Sequence, residues 1–207
     1  MTNNAVPLVI VVDDDRAVRE SLDSLLRSVG LATQLFGSPA ELLAADRPAN
    51  AACMILDVRL PGVSGLDFQE QLGRDGSALP IVFMTGHGDI PMTVRAMKAG
   101  AVDFLAKPFR DQDMLDAVST AIERGRALRA EHAALASLRM QYESLTARER
   151  EVMGHVVAGL MNKQVAGILG LSEITVKIHR GSVMRKMGVR TLADLVRQAG
   201  ALGLPGG

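Results

Sequence analysis

Tryptophan is absent from the 207 residues, tyrosine occurs once, and aromatic residues make up 3% of the chain. Proteins that hold single-stranded or splayed bases stack them on aromatic side chains, so that class of partner is disfavoured. The single cysteine, Cys53, sits inside the apolar run ACMIL. That excludes a disulfide framework and makes Cys53 a small core residue. No histidine–cysteine set for zinc exists, and His87, His132, His155 and His179 read as packing or solvated residues. There is no run of 18 apolar residues, and the N-terminus MTNNAVP lacks a basic, apolar leader. No membrane contact and a soluble, cytoplasmic protein are therefore expected.

With 48% hydrophobic and 22% charged residues the chain can bury real cores, and its length is comfortable for two domains. Net charge is zero only in sum. Residues 144–207 carry nine Lys/Arg against four acids, and the preceding residues carry the compensating excess of acid. The C-terminal part suits a polyanion, and the N-terminal part suits a metal cation or a basic partner.

The N-terminal part alternates in character. LVIVV (8–12), LATQLF (31–36), ACMILD (52–57), PIVFMT (80–85) and VDFLA (102–106) are short, mostly apolar strands, consistent with burial on both faces. Helical patterns lie between them. Val18, Leu22, Leu25, Leu26 and Val29 repeat at helical spacing before Gly30, and Ser38-Pro39-Ala40-Glu41 has the form of a helix start. Ser64 and Asp67 form a looser pair of the same kind. Five successive βα units predict an open parallel sheet with helices on both faces.

Residues 126–143 read as a helical linker between a domain at 1–125 and a second at 144–207. Leu128, Leu135, Leu138, Tyr142 and Leu145 fall at heptad-like spacing, interrupted by Glu131. Pairing with a second copy and packing on its own domain both fit that pattern. Beyond Leu145 the pattern is wholly helical, opening on Thr146-Ala147-Arg148-Glu149, the form of a capping box.

Open parallel sheets bind ligands beyond the carboxyl ends of their strands. Polar residues follow the apolar runs there: Asp13 and Asp14 after the first strand, Asp57 at the end of the third, Thr85 at the end of the fourth and Lys107 just after the fifth. Taken singly, each has a plain explanation as a cap, a turn or a surface charge. Asp15 is better read as the N-cap of the first helix. Together they make a site where crowded carboxylates share a divalent cation, and oxygen-only ligands favour magnesium, with manganese as an alternative ion.

NKQVAGILGLSEITVKIHRGSVMRKMGV (162–189) divides into two helices around Gly170-Leu171-Ser172, with small Ala166 at their crossing. Val176, Val183 and Met187 form a buried stripe with Arg180 near its edge. Thr175, Lys177, Ile178, Gly181, Ser182 and Arg185 lie on the opposite face and flanks. A basic, polar second helix in a tight pair matches major-groove reading of duplex DNA.

The motifs VVDDD, LDVRLPGVSG, MTGHG and AVDFLAKPF, in that order, closely resemble the receiver domain of two-component response regulators. The downstream part resembles the LuxR-type helix-turn-helix of the NarL/FixJ family. The resemblance covers nearly the whole chain. It implies a five-stranded parallel, doubly wound, CheY-like receiver followed by an all-α four-helix domain. It makes Asp57 the phosphoacceptor and Asp13 and Asp14 the acidic pair for magnesium, with the backbone carbonyl of Arg59 as a further ligand. Thr85 becomes the switch hydroxyl, Lys107 the phosphoryl-binding cation and Phe104 the switch aromatic. In the second domain it places Lys177 and Ile178 at bases, with Lys163, Thr175, Ser182, Arg185 and Lys186 as further DNA contacts; Gly181 stands where some relatives have lysine. The implied partners are a sensor histidine kinase, double-stranded promoter DNA, a second copy of the chain on activation, and RNA polymerase. The implied role is regulation of transcription, with no catalysis beyond the receiver's own phosphoryl transfer and dephosphorylation. Haloacid-dehalogenase phosphatases use the same residue types but need a second acid two residues past the nucleophile, where this chain has Arg59. A receiver that serves only as an unphosphorylated docking module is a third reading, against which the intact acidic set argues.

Overall fold

The computed structural model describes residues 6–45, 50–86 and 90–204. The expectation for His87 falls outside them. The chain divides between Arg129 and Ala130 into two compact units.

The first unit holds a five-stranded parallel sheet of order β2-β1-β3-β4-β5. Its strands are β1 (Leu8–Val12), β2 (Ala32–Phe36), β3 (Ala51–Asp57), β4 (Ile81–Thr85) and β5 (Asp103–Ala106). The helices α1 (Arg16–Ser28), α2 (Pro39–Ala44), α3 (Gly65–Arg74) and α4 (Ile90–Lys98) connect them, and α5 (Asp111–Glu143) follows. Side chains alternate across the sheet as the period of a strand requires. Ile10, Val12, Met54, Leu56 and Phe83 pack against α2, α3 and α4 on one face. Val9, Val11, Cys53, Ile55, Val82 and Met84 pack against α1 and α5 on the other. Burial pushes the Cys53 thiol up to about 12, as a core position demands. The expectation of burial on both faces holds for the central strands, while most residues of the edge strands β2 and β5 are only half buried.

The expected start signals are present. Asp15 caps α1 by accepting from the N–H of Ala17, and Ser38 caps α2 by accepting from Glu41. Two glycines set close approaches. A Cβ on Gly65 would lie 2.2 Å from the carbonyl oxygen of Asp57, so α3 starts flush against the last residue of β3. A Cβ on Gly125 would lie 2.5 Å from the carbonyl oxygen of Ala52, where α5 crosses the sheet. One turn on, Arg129 Nη1 donates to the carbonyl of Ala51 at 3.0 Å.

Helices α3 and α4 are tied together twice. Arg95 pairs with Asp67 at 2.7 Å and Glu70 at 2.8 Å on the surface. Inside, the buried Gln69 donates from Nε2 to the carbonyl of Ala99 at 3.2 Å, in the turn that ends α4.

The second unit contains α6 (Ala147–Val157), α7 (Asn162–Leu169), α8 (Glu173–Lys186) and α9 (Leu192–Ala201). Its core includes Leu145, Val152, Val156, Val165, Val176, Val183, Met187 and Leu195, with Leu138 and Tyr142 of α5 packed against it. Three of the heptad-spaced side chains, Leu138, Tyr142 and Leu145, are thus engaged within their own unit. Gly170 ends α7 at φ +62°, and Ser172 caps α8 by accepting from Thr175. Thr146 and Glu149 complete a reciprocal capping box: Glu149 N–H donates to Thr146 Oγ1 at 3.2 Å, and Thr146 N–H donates to Glu149 Oε2 at 2.8 Å.

Glu149 does more than cap α6. The side chain is 7% exposed and also accepts from two residues of α8, Ser182 Oγ at 2.5 Å and Lys186 Nζ at 2.7 Å. These hydrogen bonds, that of Lys186 foremost, pull its carboxyl from the ordinary 4.5 down to about 2. A carboxyl depressed in the folded state adds stability that is complete above its unfolded value and vanishes as pH falls through the folded one. The second unit is therefore expected to lose stability between pH 4.5 and about 2, and Glu149→Gln should flatten that slope in denaturant titrations at stepped pH. For the first unit, Gly65→Ala should lower stability by about 1–3 kcal/mol, the usual cost of overpacking, measured as a reduced urea midpoint.

Candidate functional site

The order of the sheet reverses between β1 and β3, and the site lies at the carboxyl ends of those two strands. Their register pairs Val12 with Leu56, so the next residues, Asp13 and Asp57, emerge side by side. Pairing of Asp57 with Met84, and of Thr85 with Ala106, brings in the ends of β4 and β5. Lys107, one residue past β5, donates its backbone N–H to the carbonyl of Thr85 at 2.7 Å, which fixes where its side chain starts.

The Lys107 ammonium reaches Asp13 Oδ2 at 2.6 Å and Asp57 Oδ2 at 2.9 Å. Asp13 is fully buried and Asp57 is 6% exposed, whereas Asp14 faces solvent. Ligand atoms of Asp13, Asp14 and Asp57 all lie within 4.8 Å of one another. Asp13 Oδ1 also accepts from the backbone N–H of Asp15 at 2.8 Å, and Asp57 Oδ1 from that of Arg59 at 3.2 Å. The loop is held from outside by Arg19, whose Nη1 donates to the carbonyls of Asp13 at 2.6 Å and Asp14 at 3.0 Å.

Burial pushes the Asp13 carboxyl above its ordinary 3.8, against the opposing hydrogen bonds from Lys107 and Asp15. Burial also draws the Lys107 ammonium down, but its bonds to Asp13 and Asp57 outweigh this and leave it above its ordinary 10.5. Three clustered acids face one ammonium, so the donor set favours additional positive charge, and oxygen ligands at this spacing fit a hard divalent cation. An open cleft of about 480 Å³, lined by Asp14, Arg59, Leu60, Ser64 and Met92 among others, adjoins the acids.

Thr85 is fully buried at the end of β4. Phe104 is half buried, its ring centroid 6.2 Å from that of Phe83, its partner in register. Phe83 and Thr85 are two residues apart on one strand, so Thr85 and Phe104 belong to the same face of the sheet.

In the second unit, Val176, Val183 and Met187 are buried on one side of α8, and Lys177, Ile178 and Arg185 are exposed. Lys163 is exposed on α7. Thr175 is half buried, its hydroxyl 2.8 Å from that of Ser172. Ser182 and Lys186 stand differently from the expected DNA face: both polar ends turn to Glu149, and Lys186 Nζ also reaches the carbonyl of Ser144 at 3.2 Å. They lie on the flank of α8 that packs beside α6. Arg180 Nη1 bonds Asn162 Oδ1 at 3.1 Å, and Arg148 Nη2 bonds the carbonyl of Leu169 at 2.8 Å, so the ends of α7 are tied to its neighbours.

The sequence signalled neither Arg19 nor Gly65, and it showed Glu149 only as a cap. Arg19 reaches back to carbonyls five and six residues away, a spacing that belongs to no standard cap or turn pattern, while the α8 partners of Glu149 lie more than thirty residues on.

Residues 9–119 match the response regulator receiver domain, and residues 143–199 match the bacterial regulatory proteins of the luxR family. The chain is 57% identical to nodulation protein W of Bradyrhizobium diazoefficiens over 95% of its own length and 87% of that protein's. It is 44% identical to the transcriptional regulatory protein FixJ of Azorhizobium caulinodans, covering 92% of this chain and 90% of that one. The solved structure of the response regulator StyR superposes with a TM-score of 0.84 at 48% identity, covering 95% of this chain and 99% of that chain. Receiver domains bind magnesium at an acidic pocket of the kind formed by Asp13, Asp14 and Asp57. Among the described residues no helix is long and apolar enough to cross a membrane. With parallel sheet, acidic pocket and helical unit in agreement with these likenesses, the chain belongs to the two-component response regulators of the NarL/FixJ family, joining a receiver domain to a LuxR-type DNA-binding domain.

Proposed function

We propose that Asp57 accepts a phosphoryl group from a sensor histidine kinase, and that the modified chain pairs with a second copy and binds promoter DNA to regulate transcription. The observation that carries this reading is the Lys107 ammonium shared between buried Asp13 and Asp57 at the mouth of the sheet. In-line phosphoryl transfer needs a nucleophile and neutralisation of the phosphoryl oxygens more than proton shuttling.

An Asp57 carboxylate oxygen attacks phosphorus while the bond to the donor imidazole nitrogen breaks. Lys107, already within hydrogen-bond distance of Asp57, transfers its pairing to a phosphoryl oxygen. The Thr85 hydroxyl donates to another. Asp13, Asp14, Asp57 and the carbonyl of Arg59 would hold magnesium, or manganese in its place, which when bound draws charge from the phosphoryl oxygens. The acyl phosphate carries about one more negative charge than the carboxylate it replaces. Thr85 drawn toward it opens space on the sheet face it shares with Phe104, and the inward turn of that ring alters the surface of α4 and β5. Phenylalanine makes this move by packing alone, having no hydroxyl.

Residues 1–125 act as the receiver, 126–143 as the linker and 144–207 as the DNA-binding domain. Lys177 and Ile178 face bases; Lys163, Thr175 and Arg185 address the backbone. Ser182 and Lys186 belong to the same interface at one remove, since their bonds to Glu149 hold α8 in place. One helix-turn-helix reads few base pairs, so two copies address half-sites about one turn of DNA apart. Promoter control makes RNA polymerase a further partner and places the protein in the cytoplasm.

Asp57→Asn should abolish acid-labile labelling by a small phosphodonor such as acetyl phosphate; normal labelling of that variant would remove Asp57 as acceptor. Asp13→Asn should raise the magnesium concentration needed for half-maximal labelling by at least about tenfold, since even outer partners of metal ligands contribute that much. Light scattering should report a doubling of mass on addition of the phosphodonor, and an unchanged mass would count against control by dimerisation.

A further inference from the structure

Each residue of an α-helix turns about 100° from the last, so positions i, i+4, i+7 and i+11 share one narrow stripe. On α8 that stripe is Ile174, Ile178, Gly181 and Arg185. The buried residues Val176, Val183 and Met187 lie diametrically opposite, and Ser182 and Lys186 lie on the flank that Glu149 holds. The outermost line of the helix is therefore set by two independent attachments, one apolar and one ionic.

That line is unusual for a helix in a basic unit. Ile174 is 74% exposed and Ile178 is 66% exposed, on successive turns. Gly181 comes next, and a Cβ built there meets nothing within 4 Å. Neither internal crowding nor a positive φ calls for glycine at this position. Glycine inside a helix is less favourable than alanine by about 1 kcal/mol, so the flat spot has no origin in the packing of this unit. Lys177 is exposed beside the stripe, within reach of the same base edges, and Arg185 is exposed at its far end, which suits a phosphate of the duplex.

Resting on the reading of α8 as the helix that enters the major groove, we infer that Ile174 and Ile178 recognise the 5-methyl groups of neighbouring thymines and that Gly181 lets the base edges come flush against the helix. Thymine alone among the bases presents a methyl group in that groove, and an aliphatic side chain is its natural contact. A lysine at position 181 would instead seek guanine acceptors. This chain thus has its specificity shifted from hydrogen bonding toward methyl burial, with Arg185 left to anchor the far end.

The test uses the full chain with acetyl phosphate to enrich binding sites from random duplexes, followed by replacement of each enriched thymine with deoxyuridine. That exchange deletes the methyl and leaves every hydrogen-bonding group and phosphate in place. Loss of affinity by about fourfold per buried methyl is expected at two neighbouring positions in each half-site. Ile178→Ala should erase the thymine–deoxyuridine difference at one of them and Ile174→Ala at the other. Gly181→Leu, whose side chain has open space in the free protein, should keep the fold by circular dichroism and lower affinity for the selected site at least tenfold. Equal binding of thymine and deoxyuridine duplexes, or a difference that survives both isoleucine variants, would overturn the inference while leaving DNA binding intact. Failure to enrich any duplex would overturn the DNA-binding reading and this inference with it.

Discussion

Two carboxylates that the fold buries side by side must be compensated, and the ammonium of Lys107 is the group that does so within the chain. Asp13 and Asp57 reach their positions because β1 and β3 are neighbours in the sheet and end in register. Lys107 reaches them because β5 lies one strand beyond β4 and its next residue is pinned to the carbonyl of Thr85. The strand order, the register and the cation are thus one constraint seen at three scales. Parallel strands make this possible, since their carboxyl ends lie at one edge and the reversal of order leaves a cleft there. Charge crowded in such a cleft is reactive, whereas the same acids spread over a surface would be solvated and inert.

The second unit uses the same physics for a different end. Glu149 is nearly buried, and its two oxygens accept from the capped N-terminus of its own helix and from two residues of α8. Here the ion pair positions a helix instead of preparing a reaction. A buried carboxylate with several well-formed partners adds direction as well as stability, because its hydrogen bonds tolerate little rotation of the helix they hold. Hydrophobic packing of Val176, Val183 and Met187 sets which side of α8 faces inward, and Glu149 limits how far that side can turn.

Much of this architecture is legible in the amino-acid sequence. The five apolar runs, the capping signals at Asp15, Ser38 and Thr146, and the stripe of Val176, Val183 and Met187 are local patterns, and local patterns survive in sequence. The acids at the strand ends were legible too, because βα repetition predicts which ends converge. What escaped were long-range partners. Glu149 looked fully accounted for by its capping box, and nothing near it announced Ser182 and Lys186 more than thirty residues on. That is why those two side chains read as outward-facing. Gly125 stands at the expected end of the first domain with nothing in the sequence to mark it, while in the fold it is the place where α5 touches the backbone of β3. The edge strands read as fully buried because apolar content does not reveal which strands lack a neighbour.

The two ties between α3 and α4 differ in kind. The contacts of Arg95 with Asp67 and Glu70 are exposed to solvent, where salt screens them and long side chains exchange partners cheaply. The bond from Gln69 to Ala99 is sheltered, and breaking it strands a polar group in the interior. Any rearrangement of α4 therefore meets little resistance from its ionic rim and much more at its closing turn. The helix is hung like a door from its C-terminal end, with Gln69 as the pin.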